Sequence, residues 1–341
     1  MTSAGLAVLG YTHEVEEATR HVWRRLERVV PEVEWPVHAT RIAAIEHLKR
    51  ERRAVVLAHN YQTPEIFHGV ADLTGDSLAL ARQATEVDAD VIVMCGVHFM
   101  AETAKLLSPD KTVLIPDLEA GCSLAASITG ADVRLLRERH PGVPVVSYVN
   151  TSADVKAETD VCCTSGNAVE VVEALGVPRV IFLPDEYLGR HVASRTGVEL
   201  ILWKGRCEVH ERFTADDVRG FRETWPGVEV LAHPECPPEV LAEADFVGST
   251  AGMIGHVGRV RPPRVVMITE CSMSDNVAVE HPDIEFVRPC NLCPHMKRIT
   301  LEGVQRALEN LEHEVVIPAA TAERARGAVE RMLEVRPGAR R

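Results

Sequence analysis

Aromatic residues are scarce, with Phe, Trp and Tyr filling 4% of 341 positions. Base-stacking platforms are built from such rings. A basic stripe is missing too, since 50 Asp and Glu outnumber 37 Lys and Arg for a formal net charge of −13. Nucleic acid is therefore not an expected partner. Nor is there any apolar run near the roughly 20 residues that a membrane-spanning helix needs. The short apolar patch from Leu6 to Leu9 has no basic leader and is too short for a signal-peptide core. The expectation is a cytoplasmic chain with no membrane partner. Thiols stay reduced there, so nine cysteines read as buried thiols, redox groups or metal ligands, and not as a disulfide framework.

With 46% hydrophobic and 26% charged residues, the composition is that of a globular protein. The length predicts two or three domains with ample core. The stretch from Glu285 to Thr300 organises the rest: a short apolar strand, a proline, Cys290 and Cys293, then a helix beginning near Met296. The same strand-then-cysteine pattern recurs at Thr112 to Cys122 and at Glu199 to Cys207. Cys122, Cys207 and Cys293 lie 85 and 86 residues apart (207 − 122 and 293 − 207).

Other features share that period. Apolar strands run into His59, Tyr148 and His233. Hydroxyl- and glycine-rich segments follow at Thr74–Ser77, Thr164–Asn167 and Gly248–Gly252. Continuous apolar runs come next at Val91–Met94, Val180–Leu183 and Val265–Ile268. Strands alternating with helical patterns predict parallel sheets covered by helices on both faces. The fold class expected is α/β, with three pseudo-symmetric three-layer α/β/α domains around a central site. Expected divisions are an N-terminal helical segment 1–38, repeats 39–122, 123–207 and 208–293, a C-terminal piece 294–335 joining the first repeat, and a disordered tail 336–341. Ligands of such sheets bind beyond the carboxyl ends of the strands, where the histidines, hydroxyls and cysteines fall.

Three thiolates in register suit a metal centre. An iron–sulfur cluster usually takes four, so three leave one iron open as a Lewis acid. Structural zinc would want a fourth ligand. A lone cysteine is better read as a buried thiol, which is the reading for Cys95, Cys162, Cys163, Cys236 and Cys271. His59, His210 and His233 stand out from surface histidines by their place at strand mouths. Glu235 is a candidate acid or base, although alone it would read as a helix N-terminal carboxylate. The glycines from Gly248 to Gly258 fit neither a dinucleotide nor a Walker loop.

Taken in order, His59-Asn60-Tyr61-Gln62, Gly75-Asp76-Ser77, Ala120-Gly121-Cys122, Tyr148-Val149-Asn150-Thr151, Thr164-Ser165-Gly166-Asn167, Gly205-Arg206-Cys207 with His210, His233-Pro234-Glu235-Cys236, Gly248-Ser249-Thr250 and Cys293-Pro294-His295-Met296-Lys297 resemble the quinolinate synthase (NadA) family. The resemblance runs over roughly residues 40 to 333 and implies a triangle of three homologous α/β/α domains. It implies a transferase-type condensation of iminosuccinate with dihydroxyacetone phosphate to quinolinate, with loss of phosphate and two waters, early in NAD synthesis. It also implies one [4Fe-4S] cluster per chain on Cys122, Cys207 and Cys293, and substrate contacts from His59, Ser77, Tyr148, Asn150, Ser165, His233, Glu235 and Thr250. Ser249 would share the role of Thr250, and Tyr61, His210 and Glu235 would be catalytic. A dianionic substrate beside Glu235 would raise its pKa. The unstable imine implies coupling to L-aspartate oxidase or aspartate dehydrogenase.

One departure is Val287, where some relatives carry a further cysteine, so Cys293 is the expected ligand and Cys290 a spare thiol. Two rivals remain. One is a metal-binding or redox-sensing protein with a closed zinc or cluster site completed by Cys290. The other is a cluster-dependent hydro-lyase acting on a hydroxy-dicarboxylate.

Overall fold

A computed structural model describes residues 10–335; the patch at Leu6–Leu9 and the expected tail at 336–341 lie outside them. Among the described residues, twelve short strands form three four-stranded sheets, every pairing within them parallel. The first holds β1 (Ala54–His59), β2 (Leu73–Gly75), β3 (Val91–Cys95) and β4 (Thr112–Leu114) in the order β2-β1-β3-β4. The second repeats this with β5 (Val145–Tyr148), β6 (Val161–Cys163), β7 (Arg179–Leu183) and β8 (Glu199–Leu202) in the order β6-β5-β7-β8. The third holds β9 (Glu229–Ala232), β10 (Phe246–Val247), β11 (Arg264–Ile268) and β12 (Glu285–Val287) in the order β10-β9-β11-β12. The protein is α/β, with three parallel sheets flanked by helices. The inner strands are largely apolar because both faces are covered: every residue of β3 is buried, as are Val180–Leu183 and Val265–Ile268.

One clasp is built three times at the amino ends of the sheets. Asp72, Asp160 and Asp245 each sit just before the second strand of a sheet. Their carboxylates accept from the backbone N–H of Val56 (2.8 Å), Val145 (2.7 Å) and Val230 (2.8 Å) on the first strand. Their own N–H groups donate back to the carbonyls of the same residues. A cation from the preceding helix closes each clasp: Lys49 at 2.7 Å, Arg137 at 2.8 Å and Arg222 at 3.0 Å. The helices Gly130–Arg139 and Ala215–Thr224 both start with a reciprocal capping box, Thr129 with Asp132 and Thr214 with Asp217.

The divisions expected after 122, 207 and 293 fall in loops or at helix starts, whereas position 38 lies inside the helix Trp35–Arg52. The helix Leu301–Asn310 packs on Trp35–Arg52 and on β3, and the helix Ala319–Glu334 packs on β6 and Ala153–Lys156 and touches His98–Leu107. The C-terminal chain therefore bridges the first and second sheets. The helix expected near Met296 is only a 3-10 turn, Met296–Arg298; the α-helix starts at Leu301, capped by the Thr300 hydroxyl. Among the described residues no helix is long and apolar enough to cross a membrane.

Candidate functional site

The carboxyl ends of the three sheets face one cavity, the place where ligands of parallel sheets bind. His59 ends β1 and Tyr148 ends β5, while Tyr61, Asn150, Ser165, Cys207, Cys293 and the His233–Glu235 pair lie in loops just past strand ends. Ser77 and Thr250 open the helices Ser77–Glu86 and Thr250–Val260, Cys122 caps the short helix Ser123–Ala126, and His210 starts a 3-10 turn. All of these line the cavity. Ser249 is absent from its lining: its hydroxyl accepts from the Gly252 N–H and so caps the following helix.

A buried network crosses the cavity wall. The Tyr148 hydroxyl donates to Glu235 Oε1 at 2.5 Å, and His210 Nδ1 lies 2.8 Å from Glu235 Oε2. With Nδ1 turned to a carboxylate it carries the proton, so Nε2 accepts from the Thr269 hydroxyl at 2.9 Å. Thr269 in turn stands 2.6 Å from the Tyr61 hydroxyl, which is left to donate. A continuous chain thus runs Tyr61–Thr269–His210–Glu235–Tyr148. His233 Nδ1 accepts from the Glu235 backbone N–H, which leaves Nε2–H for Ser165 Oγ at 3.2 Å.

Burial dominates the electrostatics. It lowers His59 and His233 to about 3, so both rings are neutral near pH 7. It also pushes the phenols of Tyr61 and Tyr148 well above their usual range, with the Glu235 charge adding to the effect. The raised Glu235 pKa expected from the sequence rests on a bound dianion, and the protein's own groups act in the opposite direction. Burial pushes the carboxyl up, but His233, His210 and the hydrogen bonds from His210 and Tyr148 outweigh it, and Glu235 sits below the usual carboxylate range.

The thiols fit a cation. Burial pushes Cys122 up to about 12, Cys207 well above its usual value and Cys293 upward. Such thiols become ligands by giving up protons to a metal, and three of them line one cavity. A second donor set overlaps the first: one ligand atom each from Cys207, His210 and Glu235 falls within 4.8 Å of the others. Cys290 is exposed, does not line the cavity, and lies with its sulfur 3.9 Å from that of Cys271. Cys95, Cys162, Cys163 and Cys236 are buried.

The family model described as "Quinolinate synthetase A protein" (NadA) matches residues 43–334. The chain belongs to the quinolinate synthase family. It is 70% identical over 314 residues to "Quinolinate synthase 1" of Mesorhizobium japonicum, covering 92% of this chain and 97% of that one. It is 68% identical over 314 residues to "Quinolinate synthase" of Agrobacterium fabrum, covering 92% and 91%. With "Quinolinate synthase" of Caulobacter vibrioides it shares 58% over 333 residues, covering 96% and 91%.

Sequence reasoning missed two residues beside this site, Thr269 and Glu270, and gave a third, Lys297, no role. Thr269 links Tyr61 to His210. Glu270 is fully buried and paired with Lys297 at 3.0 Å. Glu270 follows an apolar strand and reads as a solvated loop residue, so only its burial reveals it; Lys297 was visible only as part of a motif.

Proposed function

We propose that the protein condenses iminosuccinate with dihydroxyacetone phosphate to quinolinate, phosphate and two waters, as the resemblance implies. Cys122, Cys207 and Cys293 would hold a [4Fe-4S] cluster. When bound, such a cluster supplies an open iron as Lewis acid toward a substrate hydroxyl, carboxylate or nitrogen. The observation carrying this reading is the convergence of three thiols, one from each repeat, on a cavity that also holds the Glu235 network.

The chain's own groups supply the rest. Ser77 and Thr250 stand at the amino ends of ten- and eleven-residue helices, where N–H groups and the helix dipole favour a carboxylate or phosphate. Asn150 Oδ1 is buried without a protein partner, and a buried acceptor without a partner calls for a donor such as a substrate N–H or O–H. Glu235, ionised, accepts the proton that leaves the substrate. Tyr61, protonated and wired to Glu235 through Thr269 and His210, delivers one to the departing hydroxyl. Walls from three sheets exclude the water that would hydrolyse an imine. The reading places the protein in the cytoplasm, early in NAD synthesis, with iminosuccinate supplied by L-aspartate oxidase or aspartate dehydrogenase.

Anaerobic reconstitution tests it. Cys122→Ala, Cys207→Ala and Cys293→Ala should each lose the cluster and quinolinate formation, while Cys290→Ala keeps both. A cluster that survives in Cys293→Ala and vanishes in Cys290→Ala would overturn the ligand set. The mixed set of Cys207, His210 and Glu235 favours a second reading, a single divalent ion. His210→Ala separates the two, since it should abolish binding of one ion and leave roughly four irons per chain on a cluster.

A further inference from the structure

The buried ion pair behind the cavity has a use that its position reveals. Lys297 Nζ spends its three N–H donors on three acceptors in two segments, the loop after β1 and the stretch 270–272 after β11. It reaches the Tyr61 carbonyl at 2.8 Å, Ser272 Oγ at 2.7 Å and Glu270 Oε1 at 3.0 Å. Glu270 is equally committed: Oε2 accepts from the Ser272 N–H at 2.9 Å, and Oε1 also accepts from the Cys293 N–H at 3.4 Å. Neither residue lines the cavity. They stand one layer behind it, where the loop after β1, the loop after β11 and the cysteine loop after β12 meet. Asn276 reinforces the same seam, donating to the carbonyls of Asn60 (3.1 Å) and Gln62 (2.8 Å).

A fully buried carboxylate is costly to desolvate, and a hydrophobic pair of similar volume is often as stable or more so. What an ion pair adds is geometry, since each charge holds several partners at fixed directions. Here the partners are the backbone of Tyr61 and the backbone of Cys293, which belong to cavity-lining loops of the first and third sheets. We propose that Lys297 and Glu270 are positioning residues, a clamp that sets the Tyr61 loop and the Cys293 thiol at their working separation across the first and third sheets. The inference rests on the functional reading above for what Tyr61 and Cys293 do, though the clamp itself is read from geometry.

A lysine suits this junction because an ammonium directs three donors to acceptors in three directions. A guanidinium presents a planar fork, so Lys297→Arg keeps the charge and loses the directions. The double variant Lys297→Met with Glu270→Gln removes both charges together and avoids stranding one of them.

The test uses the full chain in two forms. In metal-free protein, rates of iodoacetamide alkylation are measured by mass spectrometry at Cys122, Cys207 and Cys293. The clamp predicts that Cys293 reacts at least ten-fold faster in both variants, with the other two thiols unchanged. In reconstituted protein it predicts wild-type iron content, a melting temperature within a few degrees, a kcat at least ten-fold lower and a KM within three-fold. A Cys293 rate equal to wild type, or all three thiols speeding up together, would overturn the clamp and leave a merely structural ion pair. So would full kcat in the double variant. If the wild type forms no quinolinate, the functional reading fails, while the alkylation rates still decide on the clamp.

Discussion

At the scale of single residues, burial decides what titrates. His68 lies beneath the Arg25–Glu280 ion pair, with Nε2 donating to the Asn276 carbonyl at 3.2 Å. Burial, aided by the Arg25 charge, lowers it to about 4, against roughly 6.5 in an unfolded chain. Between those values the unfolded chain binds the extra proton, so this contribution to stability is complete above pH 6.5 and is lost as pH falls toward 4. At pH 5 the loss is about 2 kcal/mol. His68→Gln should therefore show a melting temperature that falls less than wild type between pH 7 and pH 5, by a few degrees; parallel curves would reject the assignment. Glu235→Gln removes the one buried anion of the network and keeps its shape. It should fold, keep its metal and lose about two to four orders of magnitude in turnover, as read from quinolinate formation. Activity within a few-fold of wild type would return Glu235 to the part of a helix-end carboxylate. The residue types at the cavity were legible because histidine, hydroxyl and cysteine recur at one spacing. The lowered pKa of Glu235 was not, because it depends on Tyr148 from the second repeat and His210 from the far end of its own repeat arriving within hydrogen-bond reach.

At the scale of elements, the strands were legible and their supports were not. Parallel strands covered on both faces are runs of apolar residues, and β3, β7 and β11 appeared in the sequence within a residue of their observed ends. The turn at Met296–Arg298 looked like the start of a helix because the residues after Pro294 carry helical preference, while the Thr300 cap actually sets the start. Gly205 shows how tightly one cysteine loop is seated. Its N–H donates to the Pro184 carbonyl at 3.0 Å and its carbonyl accepts from Glu186 at 2.8 Å. A Cβ there would stand 2.5 Å from that Pro184 oxygen and 2.6 Å from Ser127 Oγ. Backbone cannot yield as a flexible side chain would, so Gly205→Ala should displace the Cys207 loop. The expected result is a folded protein with under half the wild-type iron after reconstitution, measured by metal analysis. Full iron content would show that the loop absorbs the methyl group elsewhere.

At the scale of the whole molecule, the cores are built from sheets and helices, and Cys122, Cys207 and Cys293 only pack against the margin of the large one. The large apolar cluster joins the first and second sheets to the C-terminal helices, and the third sheet has separate clusters on its two faces. Metal removal should therefore leave the fold standing, unlike small domains whose folding energy is metal binding. After chelation the far-UV circular dichroism should stay within about a tenth of its starting value; collapse of the helical signal would contradict this. The three-fold plan was legible from spacing alone, whereas the Asp72, Asp160 and Asp245 clasps were not, because each shows in the sequence only as an acid before an apolar residue. Those clasps sit at the ends of the sheets remote from the cavity, and all three still use the same carboxylate, the same two backbone bonds and a cation from the same preceding helix. At the other ends, Tyr61, Asn150 and Glu235 stand two residues past His59, Tyr148 and His233, matching places with different chemistry. That contrast is what tandem copying of one ancestral helix-and-sheet unit would leave behind: ends without a chemical task keep the family likeness, and ends that meet at the centre drift apart into specialists.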